Sequence, residues 1–466
     1  MAGIAFTAGQ TMVRPGVYNR YVQVSTPLYE GASDGIVACV LSAQWGPLGE
    51  VVELTTLKQA KQAFGGDAEL AQQIFAGGAS AIFAVRAGTG GTRATHSLND
   101  AQDEAAVTVT AKYPGARSFV CTLTGADGDE RQFVLSEGGA VLERIAFAAG
   151  GDEASALIEA GAASAYLDFA RADGYSGSGA LAEQVETAFQ AGADPDVDDQ
   201  AYADALERLT PYAWNCVCLD SSDAELHSAL HSYMTSAWQD GHTGFAVIGE
   251  AVTTPLETRM ASARALNDYR MVYVGSGWYE AGDVLVDGWR AAGRVAGMIA
   301  SVPSNQSITH RTVSGAVRCA EALTNSQYVS CINAGMVVFS LSPSAQVWVE
   351  NGITTLSAPS GEDDAGWMKI KRAKVRFELM DRLSATVAPM IGNVANDDDG
   401  RAAVVQAIQG LLRSMISEGK LMSDAAVALD PDQQPAGDSA SFIITANDVD
   451  ALEKVYFTYQ FRFAQQ

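Results

Sequence analysis

The end of the chain constrains its folding more than any other stretch. From Val455 to Phe463 it reads V-Y-F-T-Y-Q-F-R-F, so Val455, Phe457, Tyr459, Phe461 and Phe463 share one face while Tyr456, Thr458, Gln460 and Arg462 take the other. A strand of this length, ~30 Å, needs a partner for its backbone edge and cover for its aromatic face. A second strand-like arm, Val17 to Val24, follows Arg14-Pro15-Gly16, with Val17, Tyr18, Tyr21, Val22 and Val24 as its candidate contact residues. Either the two arms pair within one molecule and close a domain, or they pair with other copies and make the chain a mesh-forming structural subunit.

A chain of 466 residues predicts roughly two to four domains with ample core. Lys and Arg number 30 against 55 Asp and Glu, a net charge of −25, so the surface as a whole repels nucleic acid and anionic membrane. Met1 to Phe6 has no basic segment ahead of an apolar run, and no apolar window reaches the roughly 18 residues of a membrane span; synthesis in the cytosol without a signal is expected. The six cysteines, at 39, 121, 216, 218, 319 and 331, form no C-x-x-C pair and read as reduced, buried thiols.

Strand-like and helix-like segments alternate after the first arm. Gly35–Ala43, Ala81–Arg86, Trp214–Leu219, Phe245–Ile248 and Met271–Val274 read as strands. Helical spacing covers Thr56–Ala76, Ala224–Asp240, Pro255–Leu266 and Gly282–Ala300. This rhythm predicts an α/β layer with a largely parallel sheet. It breaks between Gly88 and Asp199, where Val107–Tyr113, Phe119–Thr124, Arg131–Leu135 and Val141–Phe147 are short strands and Asp127-Gly128 makes a turn. The Gly88-Thr89-Gly90-Gly91 entry and the acidic exit at 194–199 look like the joints of an inserted domain. A third region holds a strand at Val347–Val349, a basic helix from Lys369, a helix with Val405, Ile408, Leu412 and Met415 on one face, and a strand at Phe442–Thr445. The expected layout is therefore multidomain α/β: an arm at 1–30, a core at 31–91 and 200–340, a mainly-β inserted domain at 92–199, and an α+β domain at 341–466 that ends in the second arm.

Constellations that could carry chemistry dissolve on inspection. His227 and His231 stand four apart on a helix but lack the glutamate of H-E-x-x-H. Gly275-Ser276-Gly277 and Gly88-Thr89-Gly90 follow strands, yet Glu280 and Arg93 occupy the place of the third glycine of a dinucleotide turn. Gly174 to Ser178 misses the closing glycine of a nucleophile elbow. Asp397-Asp398-Asp399-Gly400 has Ala395 at the first calcium-ligand position and reads better as the acidic start of a helix. No catalytic, metal or cofactor residue is assigned. The run Lys369-Ile370-Lys371-Arg372-Ala373-Lys374-Val375-Arg376 carries five cations and no anion, which makes it a solvated helix face or a docking surface for an acidic partner.

Five short stretches, in order along the chain, carry a likeness: Arg14-Pro15-Gly16-Val17-Tyr18, Ala111-Lys112-Tyr113-Pro114-Gly115, Val349-Glu350-Asn351-Gly352-Ile353, Asn396-Asp397-Asp398-Asp399-Gly400-Arg401 and Val449-Asp450-Ala451-Leu452-Glu453-Lys454-Val455-Tyr456. Together they resemble contractile tail sheath proteins of phages and phage-tail-like bacteriocins. The resemblance implies a non-enzymatic subunit, without cofactor, that polymerises with itself as stacked six-fold rings around an inner tube. It implies arms that add strands to neighbouring subunits, and a contraction that drives the tube through a cell envelope. The implied partners are the tube protein, to which Lys369, Lys371, Arg372, Lys374 and Arg376 would face, and baseplate and tail-terminator proteins. Assembly would take place in the host bacterial cytoplasm, as part of a virion tail or a released particle. Where relatives often read V-E-x-D-I, Gly352 removes a carboxylate. A baseplate-like role is the structural alternative; an α/β enzyme, the other, would need a convergent polar site.

Overall fold

The computed structural model describes residues 35–66, 68–125, 129–361 and 363–462. Val17, Tyr18, Tyr21, Val22 and Val24 of the first arm, Phe463 of the second and the Asp127-Gly128 turn lie outside the described residues. The chain divides into two compact units, one made of the described residues up to Cys39 with Leu70–Phe83 and everything from Leu209, the other of Val40–Glu69 and Ala84–Arg208.

The first unit is built on a sheet whose strands lie in the spatial order Met336–Val337, Met271–Val274, Phe245–Gly249, Cys216–Leu219, Ile36–Leu41, Ala81–Arg86. Pairing is parallel at Cys216↔Phe245, Ala246↔Met271 and Tyr273↔Met336. Val51–Leu54 follows Ala81–Arg86 at the end of that order. Ile36–Leu41, Cys216–Leu219, Phe245–Gly249 and Met271–Val274 are buried at every residue, which is why they read as continuous apolar runs with no alternation. Local chemistry sets the helix ends. Asp223 accepts hydrogen bonds from the Glu225 and Leu226 amides to open Ala224–Gln239, and Asn267 closes Leu256–Leu266 in the left-handed region at φ +39°.

Two expectations are corrected. Thr56–Ala76 is two helices, Leu57–Phe64 and Glu69–Gly77, because Gly65 turns to φ +71° after the first. The helix expected from Gly282 begins at Gly288, because Val284–Val286, three residues of strand chemistry, pairs antiparallel with Trp278–Glu280. This helix, Gly288–Ser301, packs on the central strands and is buried over most of its length. It approaches the helix ending at Gly77 at backbone contact: a Cβ on Gly297 would stand 2.1 Å from the Ile74 carbonyl oxygen, and one on Gly77 2.3 Å from that of Arg294.

In the second unit, one antiparallel sheet orders Thr95–Asn99, Ala105–Ala111 and Leu167–Arg171, and another orders Gln184–Ala188, Phe119–Gly125, Glu130–Glu137 and Ala140–Ala148. Alternating inward residues, among them Val107, Val109, Phe119, Leu123, Phe133 and Leu135, share one core with Leu157 of the Glu153–Gly161 helix. The short strands expected here are all present. Lys112-Tyr113-Pro114-Gly115 lies against Trp45, whose ring meets Tyr113 edge-on at 5.1 Å, and the Pro114 carbonyl accepts from buried Arg86.

The C-terminal part of the first unit sets helices Ile370–Val387 and Asp398–Ser417 under an antiparallel hairpin, Ala426–Leu429 with Phe442–Thr445. Ile408, Leu412 and Met415 are buried as their spacing predicts, together with Val375, Leu421 and Val427. Leu379, Leu383, Val404, Val405, Phe442 and Ile444 pack on that cluster yet stay partly open. Among the described residues, only two strands roof it.

The Gly77–Gly297 crossing gives a test of this packing. Gly297→Ala should destabilise the protein by about 1–3 kcal/mol, since the added methyl meets backbone, which has no rotamer to yield; the midpoint of urea unfolding reads the change.

Candidate functional site

The second arm is where the chain leaves its own body. Among the described residues, none exchanges a hydrogen bond with 454–462 and no ladder includes them. The side chains keep the alternation that the sequence predicts: successive centroids of Phe457, Tyr459 and Phe461 are 6.4 Å apart along one side. Phe457 and Tyr459 are each 75% exposed and Phe461 is 87% exposed. A strand expected to need an edge and a cover has neither within the described chain.

The residues just before the arm are held as tightly as the arm is loose. Asp448, whose side chain is 5% exposed, lies between two guanidiniums: Arg372 bonds both its oxygens, and Arg376 reaches Oδ1 at 2.9 Å. Burial alone would raise the Asp448 carboxyl, but Arg372 and Arg376 outweigh it and hold it below its ordinary value. Lys371 donates to the Val449 carbonyl, and Lys369 bridges Asp450 at 2.8 Å and Glu453 at 2.9 Å. Glu453 also accepts from Thr309 Oγ1 at 2.8 Å and Ser307 Oγ at 3.2 Å. Backbone bonds complete the hold, from the Met422 amide to the Asn447 carbonyl and from the Val449 amide to that of Lys420.

Each cation of the basic run therefore has a partner inside the chain. Lys374 donates to the carbonyls of Ile299, Ala300 and Val302, the free acceptors at the end of the Gly288–Ser301 helix, and Arg376 also meets Asp364 and stacks over Trp367 at 4.6 Å. A tube-facing role asks for charges open to an outside anion; Lys371 and Lys374 are 5% and 6% exposed. Asp448, Ser307 and Thr309 are not singled out by sequence, and Asp450 and Glu453 are named only within the likeness stretch Val449 to Tyr456, not as partners of the basic run.

Beside this root, Glu418 binds Arg382 at 2.9 Å, Lys420 at 2.7 Å and Ser414 at 2.7 Å, and the Arg382 bonds above all hold its carboxyl down at about 2.

The other sequence features take structural posts. His227 lies near the Ser221 carbonyl while His231 pairs with Asp268 at 2.9 Å, so the two do not converge. Among the described residues, no group of His, Cys, Asp and Glu is placed to hold a metal ion, and no helix is long and apolar enough to cross a membrane. Gly275 packs against Met336, where a Cβ would come within 1.9 Å of its methyl, so that turn has no room for a phosphate. Asp397 caps the Asp398–Ser417 helix by accepting from the Gly400 amide at 2.8 Å. Asn396 donates to the Gly437 and Ser439 carbonyls, which ties that cap to the turn of the hairpin.

This is a mixed α/β chain with several sheets, and its fold is similar to that of tail sheath proteins. The sheath tail protein of Desulfitobacterium hafniense matches with a TM-score of 0.70 at 20% identity, covering 92% of this chain and 100% of its own. That of Listeria innocua matches at 0.66 and 18% identity, covering 89% and 95%. The helical sheath of the anti-feeding prophage in its contracted state matches at 0.54 and 9% identity, covering 98% and 99%. In sequence, residues 196–355 match the family model for the phage tail sheath protein central domain. No curated protein matches the chain. The likeness first read in five short stretches thus holds in fold along nearly the whole chain and in sequence over its middle.

Two outcomes are expected of the root. Asp448→Ala should cost ~3 kcal/mol in urea unfolding, because it strands two largely buried guanidiniums. Glu418, with its folded value depressed, adds stability that is complete above its ordinary 4.5 and fades as pH falls from there toward about 2. Glu418→Gln should therefore lose stability relative to the parent at pH 6 and converge on it near pH 2, followed by urea midpoints across that range.

Proposed function

We propose that this chain is the structural subunit of a contractile tail sheath, of a phage or of a contractile injection particle, polymerising on copies of itself through its terminal arms. The observation that carries the reading is the exposed, unpaired aromatic segment at 455–462, together with a C-terminal core that, among the described residues, only two strands roof. The Ala426–Leu429/Phe442–Thr445 hairpin is too small to be stable as a sheet by itself and has outer edges on which a further strand can pair. A neighbour's arm supplies both what that hairpin lacks and what the arm lacks: backbone partners for one, a covered aromatic face for the other. The first arm, Val17 to Val24, extends the same exchange to a second neighbour.

In the proposed assembly, subunits form six-fold rings stacked around an inner tube, bounded by baseplate and terminator proteins and built in the host bacterial cytoplasm. Lys369 and Arg372, 29% and 25% exposed, retain most of the open charge of the basic run and are where tube contact is placed. Strand pairing fixes direction while leaving the arm free to pivot, so subunits slide and rotate without parting. Contraction then draws on a difference in buried surface between two lattice states, and ~1 kcal/mol per subunit becomes large over many copies. No cofactor or catalytic step enters. Sheath proteins of the anti-feeding prophage and of an extracellular contractile injection system, both solved in contracted states, support the reading through fold.

Deleting Val455 to Gln466 should leave a folded monomer, with unchanged circular dichroism, that forms no long sleeves under the electron microscope. Normal tubular assembly of the truncated chain would overturn the proposal.

A further inference from the structure

The basic run has a task that its charge count conceals. We propose that the first turns of the Ile370–Val387 helix form an ionic clasp on residues 448–453, which fixes where the second arm departs and joins it to the α/β sheet. The inference rests on the sheath reading only for what the arm then does; the clasp itself is a property of the single chain.

Three observations converge on it. The grip ends abruptly: Glu453 takes Lys369, Ser307 and Thr309 together, and no described residue shares a hydrogen bond with any residue beyond it as far as 462. The grip is specific, because Asp448 receives two guanidiniums, Val449 a lysine on its carbonyl, and Asp450 and Glu453 one shared lysine, four cations at successive points along one short segment. And the clasping helix is itself stitched to the sheet. Its first amide, Ile370, donates to the Gly352 carbonyl, and Lys369 bridges Ile353. The Thr354 amide bonds the Met368 carbonyl, and the Thr355 amide bonds that of Met271 in the central sheet at 2.8 Å. Lys374 reaches the carbonyl end of the Gly288–Ser301 helix on the same sheet. Tension on the arm thus passes from Glu453 and Asp448 into the helix start, and from there into the sheet, through bonds that lie in one unit of the chain.

Geometry explains why charge is used here. A hydrophobic anchor could hold the root, but it would slip along the segment. Paired guanidiniums on one buried carboxylate set a register that a one-residue shift would break. The register matters because a shift by one residue would turn Phe457, Tyr459 and Phe461 to the opposite face of the strand they form. The clasp therefore determines which face of the arm a neighbour meets.

The test is hydrogen exchange on the full-length, unassembled protein, comparing the parent with Asp448→Asn and with Lys369→Met. The first keeps shape while removing the buried charge; the second removes the two ion pairs at the more open end. In each variant the Met422 and Val449 amides should exchange roughly tenfold faster or more, while amides in the middle of the Asp398–Ser417 helix keep their protection. Sleeves assembled from either variant should be shorter and fewer at equal concentration although the arm sequence is intact. Unchanged protection at Met422 and Val449 in both variants overturns the clasp. Loosened amides with undiminished sleeves overturn its role in presenting the arm. A parent protein that forms no sleeves at all sinks the sheath reading, and the exchange result still decides the clasp.

Discussion

A carboxylate shared by two guanidiniums holds the C-terminal part of this molecule in order. Asp448 with Arg372 and Arg376 joins the last secured stretch of chain to the helix that starts at Ile370, and that helix contributes Val375 to the hydrophobic cluster with Ile408 and Met415. The pairing is partly sheltered, so salt screens it weakly and removal of either sign leaves the other exposed to a poor dielectric. In a chain with a net charge of −25, Lys369, Arg372 and Arg376 neutralise acids that would otherwise repel one another at the same place, while Lys371 and Lys374 bind backbone carbonyls.

The sheet and the root follow different physics. Ile36–Leu41, Cys216–Leu219, Phe245–Gly249 and Met271–Val274 are held by burial and parallel ladders, insensitive to which apolar residue stands where so long as the volume fits. The root is held by named pairs at fixed distances. Burial in the sheet sets no register for the last stretch of chain, whereas the root pairs do so and add stability as well.

How far the sequence discloses this depends on range. The parallel strands are legible because burial on both faces writes an unbroken apolar run, and the Asp398–Ser417 helix because one buried face writes a period near 3.6. The break at Gly65 is a local backbone matter that the helical spacing of Thr56–Ala76 overrode, and the strand at Val284–Val286 pairs back across the Gly282 turn onto Trp278–Glu280, which a helical reading begun at Gly282 leaves out. The basic run is the sharpest case. Read alone, Lys369 to Arg376 looks like a surface seeking an outside anion, because the residues that neutralise it lie some 80 positions later, at Asp448, Asp450 and Glu453. Charge complementarity between distant segments is visible in a sequence only once something shows that they meet.

The two faces of the last strand differ in more than polarity. Phe457, Tyr459 and Phe461 stand almost fully in solvent, and a row of aromatic rings on an unpaired edge is the signature of a segment that adds to whatever edge it encounters. The opposite side carries Tyr456 with the polar Thr458, Gln460 and Arg462, which limit stacking of such segments into a second layer. The mutual repulsion of strongly acidic bodies works against the exposed row, so that in isolated molecules charge opposes what the aromatic rings favour.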